Sequence, residues 1–204
     1  MISLPSMRGV AAALLLASAA LLSGCAGAPP PAPKPDIGFV GKPIKLDVAS
    51  IAIDDRYNPP GREPNVEQLH SVTPAGVARR WADTRLVAVG KRGIATLTIL
   101  DGRVISSKLP VKGGVEGFFG DQPDTKLDAS LKVKLDVAIE GNQPGDFAAY
   151  TASVVVTGEK TILQSANLNE RDQAYFDLMD LLSKKLDASL TPEVERSMAP
   201  VIRH

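Results

Sequence analysis

The stretch from Lys126 to Glu140 constrains the fold more than any other part of the chain. Its even-numbered positions are charged or polar apart from Ala138, while every odd-numbered position is apolar. Successive side chains of a strand point to opposite faces of a sheet, so this alternation predicts a long strand with one buried and one solvated face. We expect Lys132 and Lys134 on the solvated face. The buried face is predicted to carry Leu127, Ala129, Leu131, Val133, Leu135, Val137 and Ile139.

The residues that follow predict an antiparallel partner for this strand. Residues 141–145 read Gly-Asn-Gln-Pro-Gly, and these residue types turn a chain. Residues 147–157 then resume the alternation, with the apolar phase carried by Tyr150, Ala152, Val154 and Val156. Two alternating segments joined by a turn indicate an antiparallel pair.

Earlier in the chain, residues 44–53 also alternate like a strand. Their apolar positions change parity at Ala49-Ser50, which we interpret as a β-bulge, because one extra residue shifts the side chains to the other face. The mostly polar segment 54–67 contains three prolines and one glycine and is predicted to be a loop.

A further strand is predicted over residues 94–100, which are rich in β-branched side chains. The dipeptide Asp101-Gly102 comes next. It fits a hairpin turn towards residues 103–109, or a kink within one long strand, and we favour the hairpin.

Two helices are predicted on either side of these strands. Thr73-Pro74 has the cap and the proline of a helix start, and Gly90 is its predicted stop. Trp81 lies on the apolar stripe of this helix and is expected to be buried. The second helix is predicted to be capped by Asn169, and the apolar stripe of this helix consists of Tyr175, Leu178, Met179, Leu182 and Leu186. A further short helix is predicted to start at Thr191-Pro192.

The order of these elements predicts an α+β fold. We expect an antiparallel or mixed sheet of about four to five strands, with two main helices packed on one face.

The only cysteine of the chain lies in the motif Leu22-Ser23-Gly24-Cys25. The motif follows Arg8 and an apolar run over residues 10–22, a combination typical of a secretory signal peptide. The run is too short for a membrane-spanning helix, which needs about 20 apolar residues. The motif resembles the lipobox of bacterial lipoproteins at every position. This resemblance implies cleavage before Cys25 and acylation of that cysteine, so that acyl chains hold the protein on a membrane.

These features divide the chain into a signal peptide (1–24), a lipidated cysteine with a proline-rich linker (25–42) and a single α+β domain (43–204). The linker has five prolines between residues 26 and 35, which favour an extended spacer. Basic and acidic side chains are balanced at 23 each, which gives no indication of nucleic-acid binding. A lipidated Cys25 leaves no thiol for a disulfide or a metal, and we expect no cofactor.

The sequence lacks recognisable catalytic motifs, so we expect that the protein is not an enzyme. Its two histidines, His70 and His204, are too few for a histidine-based zinc site. An envelope hydrolase is an alternative, and its sign would be a cleft with perturbed acids around Asp54, Asp55 and Glu116.

Residues 113–120 place four glycines around Phe118 and Phe119, in a chain with only 4% aromatic residues. We predict Phe118 and Phe119 as partner contacts if their rings are exposed. The alternative is that the rings fold back over an end of the core.

The lipobox, the order of elements and the helix start from Thr73 to Trp81 are similar to two groups of envelope lipoproteins. These are the auxiliary lipoproteins of ABC-type transporters and the lipoprotein of lipopolysaccharide assembly. The resemblance implies a non-catalytic accessory or binding role in lipid or outer-membrane transport or assembly, with an envelope protein as partner. Ala26, in place of an aspartate after Cys25, favours the outer membrane facing the periplasm in a Gram-negative host. A structural cell-wall-binding module is the other alternative.

The lipobox leads to a direct prediction about the anchor. We expect Cys25→Ser to abolish acylation and to leave uncut precursor or protein free of the membrane, since each buried CH₂ of an acyl chain contributes about 0.8 kcal/mol to anchoring. Intact-mass measurement of the two proteins checks this. An unmodified Cys25 in the wild-type protein would contradict it.

Overall fold

The computed structural model describes residues 37–110, 121–140 and 146–204. The strands in these residues are β1 (Ile44–Leu46), β2 (Ser50–Asp55), β3 (Leu86–Ala88), β4 (Ile94–Asp101), β5 (Val104–Lys108), β6 (Pro123–Glu140), β7 (Phe147–Leu163) and β8 (Ile202–Arg203). The helices are α1 (Pro74–Arg85) and α2 (Leu168–Ser197), together with short 3₁₀ turns at Glu67–Leu69 and Ala199–Val201. The fold is therefore α+β, as predicted.

The predicted long strand is β6, and it is the centre of a five-stranded mixed sheet. β7 pairs with it antiparallel from one end to the other. On the opposite side, β4 pairs with the C-terminal half of β6 and β5 with its N-terminal half. β2 lies parallel to β4. The odd-numbered residues of β6 from 127 to 137 are all buried, which confirms the face predicted from the alternation.

The predicted hairpin at Asp101-Gly102 is wrong. β4 and β5 run in the same direction along one side of β6, with Asp101 opposite Lys132 and Val104 opposite Ala129. The register slips by one residue just before Asp101. β4 and β5 thus act as one long strand with an irregularity between them. This is possible because β6, with 18 residues, is long enough to pair with both strands in succession along the same side.

The parity change at Ala49-Ser50 marks a change of sheet and is not a β-bulge. β1 ends at Leu46 and belongs to a separate three-stranded sheet, parallel to β3 and antiparallel to β8. β2 begins at Ser50 in the five-stranded sheet. The apolar side chains change parity because the chain bends as it passes from one sheet to the other. β1 and β2 therefore direct side chains of different parity towards the core.

Helix α1 begins as predicted, since the Thr73 hydroxyl accepts a hydrogen bond from the Gly76 N–H at 3.0 Å. It ends at Arg85, before the predicted stop at Gly90, because the next residues form β3. Gly90 has another role. A Cβ atom at this position would collide with the backbone of Asp47, so only glycine allows the two segments to approach.

Helix α2 begins two residues before the predicted position. Asn167 is the cap, and its side chain and that of Glu170 form a reciprocal capping box. The cap of Asn169 is therefore a wrong prediction, although the type of signal is correct.

A separate short helix at Thr191-Pro192 is also wrong, because α2 continues through Pro192 to Ser197. Leu190 and Val194 lie on either side of the proline and are fully buried. Their burial continues the apolar stripe of the helix across Pro192, and this packing outweighs the local preference of proline for a helix start.

One carboxylate oxygen links the two helices. Asp187 Oδ1 accepts hydrogen bonds from Trp81 Nε1, Arg85 Nε and Thr191 Oγ1, each at 2.9 Å. Trp81 is fully buried, as predicted, and Arg85 is only 6% exposed. A charge that is this buried needs a charged partner. The contact therefore fixes α1 against α2.

The alternation in β6 provides a test of the fold. We expect Val133→Asp to prevent folding, because burying an unpaired charge costs on the order of 5 kcal/mol, comparable with the stability of a whole domain. Val133 is fully buried. Thermal unfolding of the purified chain measures the effect.

The matched control is Lys132→Asp, one residue away on the exposed face. It should change the free energy of unfolding by about 1 kcal/mol or less. Equal melting temperatures for the two variants would contradict the assignment of faces.

Candidate functional site

β2, β5 and β7 are the edge strands of the five-stranded sheet, and the edge of β5 is covered by a loop. Ser106 N–H donates to the Pro64 carbonyl at 2.8 Å, and Val66 N–H donates to the Val104 carbonyl at 3.0 Å. The Val104 N–H donates to Glu67 Oε2 at 3.0 Å. The backbone groups on this edge are therefore used within the chain, which removes the tendency of an open edge to pair with another strand.

Glu67 holds this loop in place. It is 1% exposed, and its Oε1 accepts hydrogen bonds from the Tyr57 hydroxyl at 2.6 Å and from Asn65 Nδ2 at 3.2 Å. Burial alone would raise the pKa of Glu67, but the hydrogen bonds from Tyr57, the Val104 N–H and Asn65 outweigh it and hold the pKa below its usual value. Glu67 is thus an ionised carboxylate whose acceptors are used inside the protein.

Two aromatic residues complete this buried cluster. Burial, together with the hydrogen bond to Glu67, raises the pKa of Tyr57. Burial and the nearby Glu67 charge also raise the pKa of Tyr175, whose buried hydroxyl has no hydrogen-bond partner among the described residues. The ring of His70 stacks on that of Tyr175 with centroids 3.5 Å apart. Both tyrosines therefore stay neutral, and the cluster fixes the loop to α2.

The opposite edge, along β7, is open. Ser130 N–H donates to the Arg103 carbonyl at 3.0 Å, so even-numbered residues of β6 direct their backbone groups towards β5. Odd-numbered residues of β6 therefore face β7, and from Thr125 to Ile139 the register pairs them with even-numbered residues of β7, before it shifts at Pro123 and Leu163. It follows that the odd-numbered residues of β7 direct their N–H and C=O groups away from the sheet. Consistent with this, the Thr157 carbonyl accepts a hydrogen bond from Lys185 Nζ at 2.7 Å.

The open edge is long and carries little charge. In the described part of the chain, no strand other than β6 pairs with β7 over its 17 residues. The outward-facing residues are Phe147, Ala149, Thr151, Ser153, Val155, Thr157, Glu159, Thr161 and Leu163. Three of them are large apolar residues with substantial exposure, namely Phe147 at 60%, Val155 at 57% and Leu163 at 46%. An edge of this length and composition is suited to accept another strand.

A polar groove of about 580 Å³ lies next to this edge. Two carboxylates of its lining, Asp128 and Glu159, lie 2.8 Å and 2.9 Å from Lys126 Nζ. Both acids are therefore engaged in ion pairs with the same lysine. The groove is lined by Arg103, Ile105, Asp128, Ala129, Ser130, Thr157, Gly158, Glu159 and Lys185.

The acids proposed for a hydrolase have partners on the surface. Asp54 Oδ2 lies 2.6 Å from Arg56 Nε, and Asp55 Oδ2 lies 2.6 Å from Arg79 Nη2. Glu116, the third acid, lies outside the described residues. Asp54 and Asp55 are thus engaged with arginines.

The histidines lie in different places. His70 packs on Tyr175 and its Nδ1 is 3.9 Å from Asp172 Oδ1. His204 lines a second groove of about 660 Å³ beside β1 and β8. No three His, Cys, Asp or Glu side chains of the described ranges come together as a metal site.

The predicted lipidation site, Cys25, and the two predicted partner contacts, Phe118 and Phe119, lie outside the described residues, so their roles stay predictions. None of the helices that the structure describes is long and apolar enough to cross a membrane.

No protein-family model matches the chain, and no curated protein matches its sequence. Among solved structures, a minor lipoprotein from Acinetobacter baumannii is similar with a TM-score of 0.33 and 10% identity, covering 78% of this chain and 98% of that chain. A homologue of the neuraminyllactose-binding hemagglutinin from Helicobacter pylori is similar with a TM-score of 0.32 and 13% identity, covering 79% and 94%. At TM-scores this low, neither likeness carries an argument about function.

The free edge of β7 is not among the features predicted from the sequence, although one signal points to an exposed residue there. Val154, Val155 and Val156 are consecutive, and in an alternating strand the middle one must face solvent. The sequence also contains a signal for the buried position of Arg85, which follows Trp81 by four residues and so lies on the buried stripe of α1. A charged residue at such a position indicates a buried partner.

The Glu67 cluster predicts a pH dependence. The pKa of Glu67 is lowered by folding, so its contribution to stability is present above the unfolded pKa of about 4.3 and is lost as the pH falls through the folded value. We expect Glu67→Gln to lower the free energy of unfolding by about 2 kcal/mol at pH 7. Denaturant unfolding of both proteins from pH 7 to pH 3 measures the difference, which should narrow below about pH 4. A difference that is constant over this range would contradict the role of the charge.

Proposed function

We propose that the protein is a lipid-anchored envelope lipoprotein that acts without catalysis, by binding a protein partner along the free edge of β7. The observation that carries this proposal is the 17-residue β7, whose outward backbone groups are not paired with a strand of the described fold. A strand added to such an edge forms a row of backbone hydrogen bonds, which is an established mode of protein recognition.

A comparison of the β5 and β7 edges supports this use of β7. The β5 edge is covered by residues 64–67. Along β7, Lys185 contacts the Thr157 carbonyl, and at the end of the strand the Leu163 carbonyl accepts from Arg171 and from the Ala166 N–H. Natural proteins usually protect long edges with charges, prolines or bulges. β7 contains no proline, and Glu159 is the only charged residue among its outward-facing positions. A partner strand would form hydrogen bonds with the outward N–H and C=O groups of β7.

The anchor and the process are proposed from the sequence. The lipobox at Cys25 supports acylation, and Ala26 supports sorting to an outer membrane facing the periplasm. The similarity of the element order to transporter-associated and lipopolysaccharide-assembly lipoproteins supports an accessory role in lipid or outer-membrane transport or assembly. If Phe118 and Phe119 are exposed, they add a second contact to the same partner.

Site-specific photo-crosslinking tests the use of the β7 edge. A photoreactive phenylalanine derivative replaces Val155 in the full chain, which is produced in cells of a Gram-negative host. We expect crosslinked adducts from Val155, because it lies at the middle of the free edge with 57% of its surface exposed. The matched control is Val87, which is 40% exposed on β3 of the other sheet and should give no adduct.

A second variant separates edge pairing from random contact. Thr157→Pro removes an outward N–H while the ladder between β6 and β7 keeps its hydrogen bonds, since proline is tolerated where the donor faces solvent. It should abolish the adducts from Val155 and leave the melting temperature nearly unchanged. Equal adduct yields at Val155 and Val87, or adducts that survive Thr157→Pro, would overturn the proposal.

A further inference from the structure

We propose that the strand that adds to β7 is the β7 of a second copy of this chain, paired antiparallel about a two-fold axis through Val155. This inference rests on the proposed use of the β7 edge and names its partner. It is carried by the positions of the exposed apolar residues along the strand.

The three large exposed residues of β7 are spaced symmetrically. Phe147 lies eight residues before Val155, and Leu163 lies eight residues after it. An antiparallel pair of identical strands centred on Val155 places Val155 opposite itself and Phe147 opposite Leu163 of the second copy, at both ends. Each exposed apolar side chain of the edge then has an apolar partner. Such cross-strand pairs are worth about 0.2–1 kcal/mol each.

The backbone allows this register. Odd-numbered residues of β7 direct their N–H and C=O groups outward, as the contact from Lys185 to Thr157 shows. A two-fold axis at Val155 places odd-numbered residues opposite odd-numbered residues, for example Ser153 opposite Thr157 of the second copy, so the outward groups of both strands meet. Opposed residues of this kind exchange both of their hydrogen bonds in an antiparallel sheet. The exception is the last pair, where the Leu163 carbonyl already accepts from the Ala166 N–H and from Arg171, so that Phe147 and Leu163 meet through their side chains. A register centred between two residues would instead place odd-numbered residues opposite even-numbered ones, whose backbone groups already bond to β6.

The charges on the edge are compatible with self-pairing. Glu159 lies opposite Thr151 of the second copy in this register, so the two glutamates do not face each other. Glu159 is also paired with Lys126 at 2.9 Å within its own chain. Lys185 contacts the Thr157 carbonyl, but a carbonyl oxygen has two lone pairs and accepts a second hydrogen bond from Ser153 of the second copy.

A second copy explains the spacing better than an unrelated strand does. The equal intervals from Val155 to Phe147 and Leu163 matter only when the partner carries the same residues in reverse order. An isologous two-fold interface has this property, because each contact occurs twice.

Cysteine crosslinking in membranes tests the register. In the full chain, Val155→Cys places two cysteines directly opposite each other with Cα atoms about 5.5 Å apart, a separation that a disulfide bridges. Mild oxidation with copper phenanthroline should give a covalent dimer that is absent from the unsubstituted chain, which has only Cys25. Val87→Cys on β3 is the matched control for collisions and should stay monomeric.

A pair of substitutions tests the register further. Ser153→Cys combined with Thr157→Cys should give the dimer, because these residues lie opposite each other across the axis. Each single variant should not, since its two cysteines are four residues apart along the strands, about 13 Å.

The outcomes separate this inference from the proposed function. A covalent dimer from Val155→Cys and from the double variant supports it. A monomeric Val155→Cys, or a yield equal to that of Val87→Cys, overturns the second copy. If photo-crosslinking at Val155 captures a different protein in that case, the use of the β7 edge stands and only the identity of the partner is wrong.

Discussion

The pairing of β6 with three other strands is the constraint on which the structure depends. Its 18 residues contact β7 along one side and β4 and β5 in succession along the other. Because its alternation is unbroken from Leu127 to Ile139, any slip by one residue would move every apolar side chain to the solvated face. The position of β6 therefore determines which face of the whole sheet the helices cover, and it leaves β7 at the edge.

Two carboxylates, the buried Glu67 and the partly exposed Asp187, add specific contacts to the apolar core. Asp187 joins α2 to Trp81 and Arg85 of α1, and Glu67 joins the loop before α1 to the first residue of β5. Both bring together segments far apart in sequence. An apolar contact survives a small rotation or shift of the two elements, whereas a charged hydrogen bond is lost under the same displacement because its geometry is specific. We infer that these two side chains specify the arrangement of elements that apolar burial alone leaves adjustable.

The sequence predicts well those features that depend on local chemistry. The faces of β6, the phase of β7, the Thr73 cap and the burial of Trp81 all follow from periodicity or capping within a few residues. Predictions of features that depend on distant partners were wrong. Asp101-Gly102 has the composition of a hairpin, but whether the chain turns there is decided by the length of β6. Thr191-Pro192 has the composition of a helix start, but the burial of Leu190 and Val194 carries α2 through it. The open edge of β7 could not be predicted because it depends on where every other strand pairs.

The small sheet has a consequence for the order in which the protein is made. β1, close to the start of the domain, is hydrogen-bonded to β8, which comprises residues 202 and 203. Leu46 of β1 is fully buried, so the strand is part of the core. During synthesis β1 must wait for more than 150 residues to follow before its antiparallel neighbour exists. The three-stranded sheet is therefore completed only after residues 202 and 203 have been made, and until then β1 lacks its antiparallel neighbour.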